Sequence, residues 1–188
     1  MIHLVLSALV AAAAAPPATH VEIYSPWSAG VLRSDLKVVE KAAGNCWTSS
    51  LTTDRSDAWR CMRGNEILDP CFQGKPHATV VACSENPFSN HVTLLTLKKP
   101  LPGGSDSTTR MLQPEGQPWA LQLVDGERCY FVSGATDVAG GMRMNSECKG
   151  DNWIAGFPNR SKPAWSAHLL VWPNKSHLKQ VGIAVAVF

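Results

Sequence analysis

The chain has 188 residues and a net charge of +2, a length that fits one domain or two small ones. Charged residues make up 17% and hydrophobic residues 45%; ordinary globular chains carry about 25% charged residues, so the composition excludes a disordered chain. The near balance of charge, with no basic run longer than the pair Lys98-Lys99, excludes nucleic acid as a partner.

Residues 4–15 form an apolar run of Ala, Leu and Val that ends in small residues. It is shorter than the roughly 20 residues a spanning helix needs. Its end fits an A-x-A-like cleavage site, so residues 1–15 are expected to be a signal peptide and the protein to be secreted to the extracellular space. A charged segment ahead of the run is missing, and Pro16-Pro17 follow it directly. No integral membrane segment is expected after signal removal.

Residues 21–24 suggest a short strand, and residues 36–44 a second one leading into Cys46, with a helix over 31–43 as the competing reading. Residues 56–62 read as a turn or two of helix: Ser56 is a plausible N-cap, Asp57 complements the dipole, and Gly64-Asn65 suits the end of a helix. Residues 80–82 and 91–97 read as strands. Pro, Gly and Ser cluster over residues 100–118, which divide a Cys-rich N-terminal half (16–99) from a C-terminal β half (119–188). Asp125-Gly126 between residues 119–124 and 127–132 is the best hairpin signal, and a type I′ turn is expected there. Residues 164–172 place Trp165, Ala167, Leu169 and Val171 on one face. Residues 181–188 place Val181, Ile183, Val185 and Val187 on one face, with Gly182, Ala184 and Ala186 opposite, close to a packing neighbour. Residues 173–177 connect these two strands.

The six cysteines, Cys46, Cys61, Cys71, Cys83, Cys129 and Cys148, all follow the apolar run. An even count in an exported chain reads as a disulfide set. Cys129–Cys148 is the preferred pair in the second half. In the first half Cys61–Cys71 with Cys46–Cys83 is preferred, and Cys46–Cys61 with Cys71–Cys83 is the alternative. A weak echo relates Cys46-Trp47 to Cys129-Tyr130, Arg60-Cys61 to Arg143 and Cys148, and Ile67-Leu68 to Trp153-Ile154.

The densest polar group is Asp54, Arg55, Asp57, Arg60, Asn65, Glu66 and Asp69. Read functionally, Arg55, Asp57, Arg60, Asn65 and Asp69 bind a polar ligand, with Trp47 or Trp59 as a stacking platform. Read structurally, these groups cap turns and pair with one another inside a stapled loop, and this reading is preferred. A carboxylate pair for glycoside hydrolysis could be drawn from Asp57, Glu66, Asp69, Glu85 or Asp125, but no spacing selects one. There is no C-x-x-C, H-E-x-x-H, G-x-S-x-G or P-loop pattern, so no metal and no cofactor is expected. Of the seven tryptophans, Trp119 and Trp165 read as core, and Trp27, Trp153 and Trp172 as candidates for exposure.

Three stretches carry a family likeness: residues 46–72 with the pattern R-x-D-A-W-R-C…G-N-x-I-x-D-P-C-F at 55–72, residues 118–129, and the closing Trp165 with the strand from Val181. From about Gly44 onward the chain resembles a group of small exported proteins of actinobacteria. That group favours Ala-Trp-Tyr where this chain ends in Ala186-Val187-Phe188. The resemblance implies export and a shared fold, and it implies no activity.

The expected fold is mainly β, or α+β with little helix: a small disulfide-stapled antiparallel sheet domain of two possibly related halves. The expected function is a secreted, non-catalytic binding or interaction module of the cell envelope or extracellular space. Two alternatives stand beside it: a secreted hydrolase using carboxylates of residues 54–69, and a secreted protease inhibitor presenting residues 100–118.

Overall fold

The structure, a computed structural model, describes residues 15–102, 116–171 and 177–188. The expected signal peptide, the middle of the 100–118 connector, the turn at 173–176 and Trp172 lie outside them. Among the described residues there is no α-helix, only fifteen strands and one 3-10 turn, Lys149–Asp151. The mainly β, disulfide-stapled expectation holds.

The first half is a closed barrel of β4 (Lys37–Ser49), β5 (Ala58–Arg63), β6 (Glu66–Gln73), β7 (Val80–Cys83) and β8 (His91–Leu97). Each strand runs antiparallel to the one before it. An odd number of strands in such a meander leaves the first and last pointing the same way, so β8 closes onto β4 in parallel. The second half contains β9 (Ala120–Leu123), β10 (Arg128–Phe131), β12 (Met142–Cys148), β13 (Trp153–Asn159), β14 (Ser166–Leu170) and β15 (Leu178–Val187). These six pair in a ring, and the even number makes the closing pair, β9 with β15, antiparallel. The short β11 (Val138–Ala139) adds to β12, and β2 (Trp27–Ser28) pairs with β3 (Val31–Leu32). The first strand, β1 (His20–Glu22), lies parallel to the end of β15, so the chain starts against the second half before it builds the first.

Each disulfide joins two residues that face each other across a strand pair. Cys46–Cys61 links β4 to β5, Cys71–Cys83 links β6 to β7, and Cys129–Cys148 links β10 to β12. The nested pairing Cys61–Cys71 with Cys46–Cys83 is therefore replaced by its alternative: register, not loop length, decides. Cys61, Cys71 and Cys83 are buried with Leu68, Val81 and Leu95 in the first core. Cys129 and Cys148 sit with Leu121, Ile154, Leu169 and Ile183 in the second.

The helix expected over 56–62 is absent. Cys61 faces Cys46 on one side and Leu68 on the other, and both ladders fix β5 as a strand. Ser56 and Asp57 form a turn instead, closed by the Ala58 amide donating to the Arg55 carbonyl. Gly64-Asn65 does supply a left-handed residue (Gly64, φ 57°), but it turns the β5–β6 hairpin between the opposed Arg63 and Glu66. The helix considered over 31–43 likewise gives way to β3 and β4. The hairpin at Asp125-Gly126 is present with a different turn. Only Gly126 of its central residues has a positive φ, and its amide donates to the Leu123 carbonyl, which is a type I turn followed by a left-handed Gly rather than type I′.

Strand β15 carries an extra residue between Ile183 and Val185. A bulge reverses which side later residues face. Val181 and Ile183 therefore enter the second core together with Ala186, while Val185 and Val187 pack into a third core. The single-face expectation for 181, 183, 185 and 187 fails at this bulge, although Ala186 is fully buried as a close-packed small residue should be. Val171, expected to face inward with Ala167 and Leu169, lies past the end of β14 and is exposed. The third core joins the halves: Tyr24, Ala58 and Phe72 meet Trp119, Ala120 and Val187. Tyr24 packs edge-on to Trp119 at 5.7 Å between ring centroids, and Phe72 lies 6.2 Å from the same indole.

Candidate functional site

Arg60 is the centre of a polar constellation that the 46–69 segment presents toward both halves. It lies on β5 between two irregular ladders. On one side the pairing steps from Cys46↔Cys61 to Thr48↔Arg60, which leaves Trp47 as the extra residue of β4. On the other it steps from Cys61↔Leu68 to Trp59↔Cys71, so that the extra residue falls in Asp69-Pro70 of β6. Bulges re-aim side chains and interrupt pairing, and a proline within a sheet suits such a place. Here Trp47 and Asp69 both turn toward Arg60. The guanidinium lies 6.0 Å from the Trp47 ring centre, pairs with Asp69 Oδ2 at 3.4 Å, and donates to Ser133 Oγ of the second half at 3.2 Å. Asp69 is held further by the Ser50 hydroxyl and by the Leu51 amide at 3.1 Å. The Ser50 oxygen in turn accepts from the Thr52 and Thr53 amides.

Arg60, Asp69 and Ile67 form one wall of a cleft of about 430 Å³ between the halves. Glu85 lies beside them, and Tyr130, Phe131, Ser133 and Glu147 form the opposite wall. A second hollow, of about 610 Å³, continues from Tyr130 and Glu147 toward Arg128 and Lys149. Tyr130 and Glu147 face each other across β10 and β12 and are the hinge between the two hollows. Burial pushes the Tyr130 phenol above its ordinary pKa, so Tyr130 is a neutral part of this wall, while the Arg143 guanidinium donates to its Val132 and Gly134 carbonyls. Phe88, from the loop before β8, meets Tyr130 edge-on.

The predicted residues thus divide. Trp47, Arg60 and Asp69 come together at the cleft. Arg55 and Asp57 form a buried ion pair at the junction of the halves, where Arg55 also lies 4.7 Å over the Phe72 ring. Trp59 points into the first barrel, where its indole N–H donates to Gln73 Oε1. Asn65 is exposed in the β5–β6 turn, next to the Arg63 pairs with Glu40 and Glu66. Asp54 accepts from the Gln117 amide and anchors the end of the connector. Asp125 accepts from the Glu127 amide in its turn. Among the described residues Trp47, not Trp27 or Trp153, is the large exposed indole; Trp27 donates to the Phe72 carbonyl, and Trp153 packs beside Met144 and Leu170.

Glu85, Tyr130, Phe131, Ser133 and Glu147 escaped sequence reasoning because no spacing links them to residues 46–69. The echo of Cys46-Trp47 in Cys129-Tyr130 was the signal available. In each half it places an aromatic residue next to a cross-strand cystine: Tyr130 lines the cleft, and Trp47 lies beside it against Arg60.

All six cysteines are paired, which leaves no thiolate for catalysis or metal binding. Among the described residues no three His, Cys, Asp or Glu side chains group as a metal site, and no helix is long and apolar enough to cross a membrane. The chain matches no protein-family model, no curated protein and no solved structure.

Proposed function

We propose that the protein is a secreted, non-catalytic binding or interaction module of the cell envelope or extracellular space, acting through the cleft centred on Arg60. The observation that carries this reading is the convergence of Trp47, Asp69 and Ser133 on Arg60, drawn from both halves and open to solvent through the exposed indole. Three cross-strand disulfides suit an oxidising compartment and hold this surface rigid, which lowers the ordering cost of binding.

The carboxylates of residues 54–69 support binding better than hydrolysis. Asp57 is enclosed with Arg55, and Asp69 already accepts from Ser50, Leu51 and Arg60. A general acid or base must reach the proton it transfers, and neither group is free to do so. Residues 100–118, the segment of the inhibitor alternative, are anchored at both ends, by Leu101 to the Ala78 carbonyl and by Gln117 to Asp54.

Retention of the isolated protein on envelope fractions and on immobilised extracellular proteins tests the proposal. The wild type is retained, and Arg60→Ala is retained markedly less. Absence of retention on every fraction removes the reading.

A further inference from the structure

We infer that the cleft and the apolar apron beside it dock an extended protein segment bearing a basic side chain two residues from a large apolar one. This rests on the binding reading above and names the chemistry of the partner.

The charge of the cleft comes first. Arg60 is matched by Asp69. Glu85 and Glu147 approach from opposite halves, and neither has an ion pair or side-chain hydrogen bond among the described residues. Arg143, whose guanidinium donates to the Val132 and Gly134 carbonyls of the cleft wall, offsets one of them, so the cleft holds one carboxylate in excess on a chain whose net charge is +2. This local reversal repels phosphate, sulfate and acidic segments and attracts an ammonium or guanidinium group.

The apron is the second, independent observation. Trp47, Leu51, Met62 and Ile67 are all exposed large apolar residues on the outer face of the first barrel. Met62 and Ile67 face each other across β5 and β6. Leu51 is tied to Asp69 through its amide, and Trp47 lies over Arg60. These contacts make one patch around the Arg60–Asp69 pair, continuous with the cleft through Ile67. A contiguous exposed apolar patch rimmed by charge marks an interaction surface.

A polypeptide fits better than a glycan because the ring faces that would stack on sugar are partly taken. Arg60 covers Trp47, Arg143 lies 5.6 Å from the Phe131 centre, and Arg128 lies 4.9 Å from that of Phe88. The open apolar surface is instead mostly aliphatic, from Leu51, Met62 and Ile67, which suits apolar side chains. An extended segment places successive side chains on opposite sides, so residues two apart reach the cleft and the apron together.

Fluorescence anisotropy with three labelled probes tests this: a blocked hexapeptide Lys-Ser-Leu-Ser-Lys-Ser, which carries Lys and Leu two residues apart (the Lys-Leu peptide), the same peptide with Glu in place of Lys (the Glu-Leu peptide), and an uncharged N-acetylglucosamine hexasaccharide. The Lys-Leu peptide is expected to bind, and the Glu-Leu peptide and the saccharide are not. In Glu85→Gln/Glu147→Gln its affinity should fall about three- to tenfold, as removal of two exposed charges implies, and its dependence on salt should flatten. Ile67→Ser should weaken binding at every salt concentration, since an apolar contact is not screened. All three substituted residues are exposed, so the variants keep the fold. Equal binding of both peptides, or no binding of the Lys-Leu peptide up to millimolar concentration, overturns the inference. Binding of the saccharide alone also overturns it while leaving the binding reading intact. That reading fails separately, if envelope retention is absent.

Discussion

Arg55 grips Asp57 through two hydrogen bonds, and the same guanidinium donates to the carbonyl oxygens of Tyr24 and Phe188. Both side chains are nearly enclosed. One ion pair therefore fastens the first barrel to the segment after β1 and to the residue that follows β15. Removing one member of a buried pair strands the other, at a cost of about 3–5 kcal/mol. Arg55→Ala should lower unfolding free energy by that amount in urea titration. The double variant Arg55→Met/Asp57→Leu should lose less, because no charge is left buried alone. A loss below about 1 kcal/mol in Arg55→Ala, typical of surface ion pairs, would show the pair to be solvated.

Peptide mapping under non-reducing conditions should recover Cys46–Cys61, Cys71–Cys83 and Cys129–Cys148. The loops they close are similar in length, with separations of 15, 12 and 19 residues. Chain entropy then predicts similar losses, about 2–4 kcal/mol each and within about 0.5 kcal/mol of one another, when each pair is changed to Ser. A fragment joining Cys61 to Cys71 would contradict the register of the whole first barrel.

Gly44 sits where β4 crosses the first core. A Cβ there would meet the Met62 carbonyl at 2.8 Å and Leu95 Cδ1 at 3.0 Å, and backbone cannot yield as a side chain can. Gly44→Ala should destabilise by about 1–3 kcal/mol through overpacking. Gly64→Ala meets no atom within 4 Å but holds φ at 57°, so it should cost only the left-handed penalty of about 1–2 kcal/mol. Thermal unfolding of the two variants separates clash from strain, and Gly44→Ala at wild-type stability would contradict the close approach of β4 and β5.

The chain has two tyrosines, and burial raises the pKa of both Tyr24 and Tyr130. A tyrosine whose folded pKa is raised contributes stability that is complete below the unfolded pKa, near 10. That stability is lost as pH climbs from there through the folded value. Absorbance titration of the native protein should show less than half of the tyrosinate signal at pH 10, and the denaturant midpoint should fall above that pH. Half-titration of either ring at or below pH 10 would contradict its burial.

Much of the architecture was legible in residue pattern. The strand at β8 follows from the apolar and Thr residues of 91–97, of which Leu95 and Leu97 enter the first core, and the β9–β10 hairpin from Asp125-Gly126. What failed were positions where pairing overrides local preference. Ser56, Asp57 and Gly64 carry helix-boundary chemistry, yet β5 is held by ladders on both sides. The bulges at Trp47, Asp69-Pro70 and β15 shift register by one residue, which leaves no mark in hydrophobic alternation and reverses every face beyond it. The site divided in the same way. Trp47, Arg60 and Asp69 were visible as a dense polar segment. Their partners Ser133 and Glu147 lie more than sixty residues away in sequence and meet them only after both barrels close.

The central claim is that ligand engages the Arg60 cleft, and site-specific cross-linking tests it most directly. A photo-reactive residue is placed at position 47, on the cleft, or at position 124, an equally exposed apolar position on the β9–β10 turn. Each protein is irradiated with envelope and extracellular fractions. The account predicts adducts from position 47 that disappear with Arg60→Ala, and none from position 124. Adducts from position 124 alone, or equal adducts from both, would place binding elsewhere and contradict it.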